Sequence, residues 1–233
     1  MSKGKLARFA ENETFKCLVQ PSVEQIVRYD GEGHANFEDQ PIKGNWNSEM
    51  FRRDAPIVLE LGCGKGEYTV ALSQKYPFQN FIGVDIKGAR LWKGAKYATD
   101  NNLLNVAFLR TRIEFVTAFF SPGEVSEIWI TFADPQPKCP RKRLTHPDFL
   151  ERYKTFLKPG GIVHLKTDSI LLHEFTLETA PSAGFKVLLH DADIYSHDPA
   201  SDLAEIRDVK TYYERQFLAK GMPITYLRLQ YDS

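Results

Sequence analysis

The sequence predicts an α/β fold: a mostly parallel sheet with helices on both faces and an antiparallel last strand. Short apolar runs alternate with helical patterns through most of the chain, and a glycine-rich turn follows the first long apolar run directly. The final run alternates apolar and polar residues instead. Strands alternating with helices build βαβ units, whose crossovers make neighbouring strands parallel. Strict alternation marks a strand with one polar face, as an antiparallel edge strand has.

In chain order, residues 1 to 50 are mixed, with Gly31-Glu-Gly33 and Asn45-Trp-Asn47 as turn signals. They are expected to form a partly flexible N-terminal extension to one domain over 51–233. Ile57-Val-Leu-Glu-Leu61 reads as a buried strand, followed by Gly62-Cys-Gly-Lys-Gly66 and a helix with apolar positions at Tyr68, Ala71 and Leu72. Pro77 stops that helix, because proline lacks the amide hydrogen that would continue it. Phe81-Ile-Gly-Val-Asp85 is the next strand, with a helix through Leu91 and Tyr97 behind it. Val106–Leu109, Ile128–Phe132 and Ile162–Lys166 repeat the scheme, with a helical stretch in each interval. Lys186–Leu189 and Thr225–Gln230 form the last pair of strands, separated by a long polar segment.

Composition sets outer bounds. The chain of 233 residues is 42% hydrophobic and 26% charged, which excludes wholesale disorder. No apolar run approaches the roughly 20 residues a membrane span needs. The start is charged and lacks the apolar core of a signal peptide, so a soluble, cytoplasmic protein without a membrane partner is expected. Cys17, Cys63 and Cys139 lie far apart, and the six histidines show no ligand spacing, so no disulfide framework and no metal are expected.

Thirty basic residues balance thirty acidic ones, which argues against a nucleic-acid partner only if charge is evenly spread. It is not. Lys138, Arg141, Lys142 and Arg143 crowd into six residues; Lys87, Arg90, Lys93 and Lys96 recur every third residue; Lys3, Lys5 and Arg8 load the start. Against them stand Asp191, Asp193, Asp198, Asp202, Glu205 and Asp208. Any single run is an ordinary solvated face unless the fold gathers them.

Open parallel sheets bind ligands beyond the carboxyl ends of their strands. Gly62, Gly64 and Gly66 lie there, and glycines allow a tight turn and a close backbone approach. Asp85 ends the second strand 19 residues after Gly66, where a carboxylate can accept both hydroxyls of a ribose. The competing reading is a plain glycine turn with an ordinary strand-end Asp. The spacing is not that of a dinucleotide fingerprint, and no P-loop Gly-Lys-Ser/Thr is present, so a nicotinamide oxidoreductase ranks last. The turn and strand end resemble the S-adenosylmethionine (SAM) site of the Rossmann-like class I methyltransferases, as does Leu157-Lys-Pro-Gly-Gly161. That likeness puts Glu60 near the methionine end of the cofactor.

Asp134-Pro-Gln-Pro137 closes the strand at Phe132, with cations just beyond. A carboxylate beside the cofactor and cations behind it suit a nucleic-acid base held near its own phosphates. Local pairing of Asp134 with Lys138 is the plain alternative. Phe132-Ala-Asp-Pro-Gln-Pro-Lys-Cys-Pro-Arg-Lys-Arg-Leu144 resembles the Asp-Pro-Trp-Pro-Lys signature and basic tail of the bacterial tRNA (guanine-N7-)-methyltransferases. Leu165-Lys-Thr-Asp168, Thr211-Tyr-Tyr-Glu214 and Lys220-Gly221 extend the likeness over roughly residues 56 to 230.

The resemblance implies methyl transfer from SAM to guanine N7 in tRNA, expected at position 46 of the variable loop, by a monomer or homodimer with no DNA partner. It places cofactor contacts on Glu60, Asp85, Arg112 and Asp134, with Asp134 also the catalytic carboxylate. Substrate contacts fall on Lys138, Asp168, Thr211, Tyr213 and Glu214, and RNA contacts on Arg141, Lys142 and Arg143. The plain alternatives are a helix cap for Asp168 and a local pair with Arg215 or Lys210 for Glu214. Gln136 replaces the usual Trp, the basic loop is about two residues short, and Arg112 replaces an adenine-facing Asp. For that last contact three options stand: Glu114, a backbone group, or stacking by Arg112. Competing functions are a SAM-dependent methyltransferase for another RNA or a small molecule, and a non-catalytic RNA-binding subunit.

Overall fold

A computed structural model describes residues 3–197 and 203–231, so Asp198 and Asp202 of the acidic stretch lie outside the described residues. Helix α1 (Lys3–Asn12), strand β1 (Leu18–Val19), the short α2 (Val23–Ile26) and the hairpin of β2 (Val27–Tyr29) and β3 (Ala35–Phe37) come first. Then follow β4 (Ile57–Leu61), α3 (Glu67–Lys75), β5 (Asn80–Asp85), α4 (Gly88–Asp100), β6 (Val106–Arg110) and β7 (Val125–Thr131). The chain continues with α5 (Pro147–Lys154), β8 (Leu157–Thr167), α6 (Ile170–Thr179), β9 (Phe185–Asp191), α7 (Ala204–Asp208), α8 (Tyr212–Ala219) and β10 (Thr225–Tyr231).

Eight strands form the main sheet in the order β1-β6-β5-β4-β7-β8-β10-β9. The neighbours from β1 to β8 pair in parallel, while β10 runs antiparallel to both β8 and β9. The expected fold class therefore holds, with one correction: the last strand is antiparallel but is not an edge. It is inserted between β8 and β9, and Tyr226, Leu227 and Leu229 are buried. The edge on that side of the sheet is β9, whose Lys186, Leu188 and His190 are exposed, and β1 forms the opposite edge.

Side chains alternate across each strand, which sorts the core into two layers. Ile57, Leu59 and Leu61 of β4 pack on one face with Phe119, Phe120, Phe149 and Leu172. Val58 faces the other way, with Tyr68 and Leu72 of α3, Leu91 and Ala95 of α4, and Phe108 of β6. Parity thus turns Glu60 toward α3. Between β6 and β7 the crossover is a short 3-10 helix, Ile113–Ala118, where the sequence suggested an ordinary helix.

Residues before 50 are joined to this sheet at several points. Leu18 and Val19 pair with Phe108 and Leu109. The Asn12 side-chain amide donates to the Gly88 carbonyl at 3.0 Å, and Arg8 lies 4.7 Å over the Trp92 ring. Asn45-Trp-Asn47, read as a turn, instead opens a π-helical turn over Trp46–Phe51. Trp46 is fully buried: its ring stacks on Phe120 at 5.5 Å, and its Nε1–H donates to the Phe119 carbonyl at 2.8 Å.

Candidate active site

Beyond the carboxyl ends of β4, β5, β6, β7 and β8 lies one continuous cleft. Its inner chamber is bounded by Glu60, Gly62, Gly64, Tyr68, Thr131 and Thr211. An outer cavity of about 680 Å³ continues from it, between Asp85, Arg112 and Glu114 on one wall and Asp134, Lys142 and Asp168 on the other. Gly62, Arg90, Phe132 and Tyr213 border both chambers.

The three glycines of the loop do different jobs. All have positive φ, at 81°, 57° and 71° for Gly62, Gly64 and Gly66. L-residues reach that region only with strain. A Cβ on Gly66 would also lie 2.4 Å from the Phe108 ring, so Gly66 lets the loop pack on β6. A Cβ on Gly64 would meet nothing within 4 Å, and one on Gly62 only Leu144 at 3.7 Å. These two leave open space above the backbone, the kind of cradle in which a ligand approaches the main chain closely.

Asp85 braces that cradle. Its Oδ2 accepts from the Gly64 N–H at 3.0 Å and its Oδ1 from the Lys87 N–H at 2.7 Å. Each oxygen keeps one lone pair for a hydroxyl. Glu60 lies beneath the loop, where its carboxylate accepts from the Thr131 hydroxyl at 2.6 Å, the Thr69 N–H at 2.9 Å and the Thr69 hydroxyl. Burial, with a smaller contribution from the Asp85 charge, pushes Glu60 up to about 7 against those hydrogen bonds.

On the facing wall, Phe132 and Gln136 take left-handed φ of 49° and 45° on either side of the exposed Asp134. Such strain, on the order of 1–3 kcal/mol per residue, persists only where surrounding contacts impose it. The Asp134 Oδ1 accepts from the Gln136 N–H at 2.9 Å, closing the loop on itself. Asp168 lies half-buried at the end of β8, and burial raises its pKa. It does not cap α6; the Ser169 hydroxyl accepts from the Leu172 N–H instead.

Thr211 caps α8, whose start docks on the glycine loop: the Tyr212 N–H donates to Glu67 at 3.1 Å, and Lys65 lies 5.1 Å over the Tyr212 ring. Tyr213 faces the cleft. Where Gln136 supplies no aromatic surface, Phe132 and Phe217, stacked at 5.9 Å, line the cavity with Tyr213. Phe132 stood in the recognised motif, but its ring gave no local signal; Phe217 gave none at all.

Two expected contacts are corrected. Glu214 is not presented to the cleft: it is fully buried, 2.7 Å from the Lys166 ammonium and 2.6 Å from the Tyr195 hydroxyl. Arg143 turns away from its basic neighbours. Only 4% exposed, it donates to the Pro135 carbonyl at 2.9 Å and stacks 4.3 Å over Phe175. Lys138, Arg141 and Lys142 are exposed, and Lys142 reaches the outer cavity. The α4 cations form no free stripe, since Lys93 pairs with Glu67 and Lys96 with Asp100 and Glu11. Lys87 and Arg90 remain beside the cleft. The side chains of Lys3 and Lys5 lie outside the described set.

Among the described residues, no group of three or more His, Cys, Asp or Glu could hold a metal ion, and no helix is long and apolar enough to cross a membrane. A family model described as "Putative methyltransferase" matches residues 54–227. A tRNA (guanine-N(7)-)-methyltransferase of Christiangramia forsetii is 51% identical, over 98% of this chain and 98% of its own. One from Bacteroides thetaiotaomicron is 46% identical, over 99% of this chain and 86% of its own. Among solved structures, a variant 16S rRNA (adenine(1408)-N(1))-methyltransferase with cosubstrate SAM, from Catenulisporales acidiphilia, superposes with a TM-score of 0.61. It shares 16% identity and covers 90% of this chain and 97% of its own, a likeness of fold. Near-full-length identity to the curated relatives and a family match over most of the cleft-forming domain agree: the chain belongs to the tRNA (guanine-N7-)-methyltransferase family.

Proposed function

We propose that this protein transfers the methyl group of SAM to N7 of a guanine in tRNA, at position 46 of the variable loop. The observation that carries this reading is the cleft itself. A glycine cradle braced by Asp85 opens into a cavity whose far wall holds Asp134, Asp168 and Lys142, with Lys138 and Arg141 exposed on the same loop as Lys142. The open space over Gly62 and Gly64 and the free lone pairs of Asp85 suit a nucleoside-bearing cofactor. When bound, SAM supplies an electrophilic methyl group on a sulfonium centre.

Guanine N7 carries an in-plane lone pair and no proton at neutral pH, so no general base is needed to create the nucleophile. The task of the residues is alignment. Asp134, fixed by its strained loop, orients the base and offsets the positive charge that grows on the purine during transfer. Asp168 accepts from the guanine N1–H and amine, a donor pattern adenine lacks. Thr211 and Tyr213 bound the cleft from α8, whose seating Glu214 fixes from behind. Lys138, Arg141 and Lys142 meet the tRNA backbone, and the guanine is presented from a loop or flipped out of a stem.

The test is transfer from labelled SAM to unmodified tRNA, with mass analysis of the nucleosides. The expected product is N7-methylguanosine, lost in a transcript lacking the variable-loop guanine. Methylation elsewhere, or SAM binding without transfer, would overturn the assignment.

A further inference from the structure

The strand order β6-β5-β4 sets a direction along the cleft. The glycine loop follows β4, Asp85 ends β5, and the next strand over, β6, leads into Thr111, Arg112, Ile113 and Glu114. A nucleoside whose ribose is held at Asp85 therefore carries its base to the end of β6. In this chain that wall holds a cation at 112 and a carboxylate at 114, and the two are joined. The Arg112 Nη2 lies 3.2 Å from the Glu114 Oε1, and its guanidinium lies 5.5 Å over the Phe115 ring. Phe115 is held in turn by Phe37 of the hairpin, with ring centroids 5.0 Å apart. Both Arg112 and Glu114 line the outer cavity.

We propose that Glu114 recognises the adenine, accepting from its exocyclic amine, and that Arg112 is a positioning residue that holds the Glu114 carboxylate toward the cavity. The inference rests on the reading of this cleft as a SAM site. An ionised carboxylate only accepts hydrogen bonds. With Oε1 engaged by Arg112, Oε2 is available to an amine and repels a carbonyl oxygen. A guanidinium presents only donors and cannot accept from that amine. With the carboxylate aimed at the exocyclic group, the pair therefore favours a 6-amino purine over its 6-oxo counterpart, which turns an oxygen toward it and keeps only N1–H as a donor on that edge.

Calorimetric titration with S-adenosylhomocysteine and with S-inosylhomocysteine, which carries oxygen for the amine, reads this selection directly. The unaltered protein should prefer the adenosine form by roughly 10- to 100-fold, the scale of one charged hydrogen bond. Glu114→Gln, whose amide both donates and accepts, should bring the ratio close to one. Arg112→Ala should lower it by a smaller factor, because the carboxylate is still present. A ratio unchanged in Glu114→Gln, with the fold intact by circular dichroism, would overturn the proposal. So would a ratio lost in Arg112→Ala but kept in Glu114→Gln. Failure of the unaltered protein to bind S-adenosylhomocysteine at all would remove the cofactor reading itself, a separate result from loss of selectivity.

Discussion

The Lys166 ammonium lies 2.7 Å from the Glu214 carboxylate, with both side chains fully excluded from solvent. Lys166 also donates to the Ile206 and Val209 carbonyls, at 2.7 and 3.0 Å, while Glu214 accepts from the Tyr195 hydroxyl at 2.6 Å. One ion pair thus ties β8, the start of α8 and the segment through α7 into a single unit behind the cleft. Burial holds the Lys166 ammonium below the usual lysine range, although Glu214 pulls it up. A buried pair is costly to break, because the remaining charge is stranded. Lys166→Met should cost about 3–5 kcal/mol. The double variant Lys166→Met, Glu214→Leu should cost clearly less than the two single changes added together. Urea unfolding of the three variants measures this, and strict additivity would mean the two groups do not stabilise one another.

Glu60 should make stability depend on pH in the direction opposite to most carboxylates. Its pKa rises from an ordinary 4.5 to about 7 in the folded protein. Between those values the folded state retains a proton that the unfolded state has released, so stability falls as pH rises. The contribution is present below 4.5 and fully lost above about 7. A tenfold change in proton affinity is worth about 1.4 kcal/mol, so the loss between 4.5 and about 7 is at most about 3.5 kcal/mol. Glu60→Gln keeps an acceptor for Thr69 and a donor for Thr131 without titrating. It should be the more stable protein at pH 8 relative to pH 5, and parallel pH profiles for the two proteins would rule the assignment out.

Asp134→Ala should lower methyl transfer by roughly 100- to 1,000-fold, the scale of a preorganised electrostatic contact at a reacting centre. Binding of S-adenosylhomocysteine should remain measurable, because Asp85 and the glycine cradle are untouched. Turnover close to that of the unaltered protein would show that Asp134 is not the central carboxylate of the substrate site.

The interior strands were legible because each is a continuous apolar run between turn signals, which local sequence records well. The glycine loop, Asp85 and Asp134 could be placed together at one cleft for a related reason, since each stands at the end of a strand, whereas Asp168 was singled out by the family resemblance. What escaped depends on partners distant in sequence. Alternation in Thr225–Gln230 reported an antiparallel strand correctly, but could not report that β9 would pair outside it. Asn45-Trp-Asn47 has the composition of a turn, and only Phe119 and Phe120, more than 70 residues later, make Trp46 a core residue. Glu214 was placed at the site by the family resemblance, and its buried partners Lys166 and Tyr195, from other elements, left no local sign.

Gly64→Ala and Gly66→Ala should separate ligand cradle from packing. Both place a methyl group at positive φ, a strain of about 1 kcal/mol. At Gly66 the added Cβ also collides with the Phe108 ring at 2.4 Å, so loss of several kcal/mol and a poorly folded product are expected. At Gly64 the Cβ enters open space, so the protein should fold with a melting temperature only slightly lowered. Its affinity for S-adenosylhomocysteine should nevertheless drop, roughly 10-fold or more by the scale of one lost close contact. Normal affinity in Gly64→Ala would show that the ligand lies elsewhere.

The cation run at 138–143 divides into two functions, and salt dependence tells them apart. Arg141 is exposed, whereas Arg143 is committed to the Pro135 carbonyl and the Phe175 ring. An arginine that neutralises a phosphate releases counterions, so its removal reduces the slope of log affinity against log salt by about 1. Arg141→Ala should therefore weaken tRNA binding most at low salt and flatten that slope, with the melting temperature unchanged. Arg143→Ala should leave the slope as it is and cost about 1–2 kcal/mol of stability through the lost hydrogen bond and cation–π contact. Filter binding across a salt series, beside thermal melts of each variant, reads both quantities. A flattened slope in Arg143→Ala would mean that its side chain leaves the interior to meet the RNA.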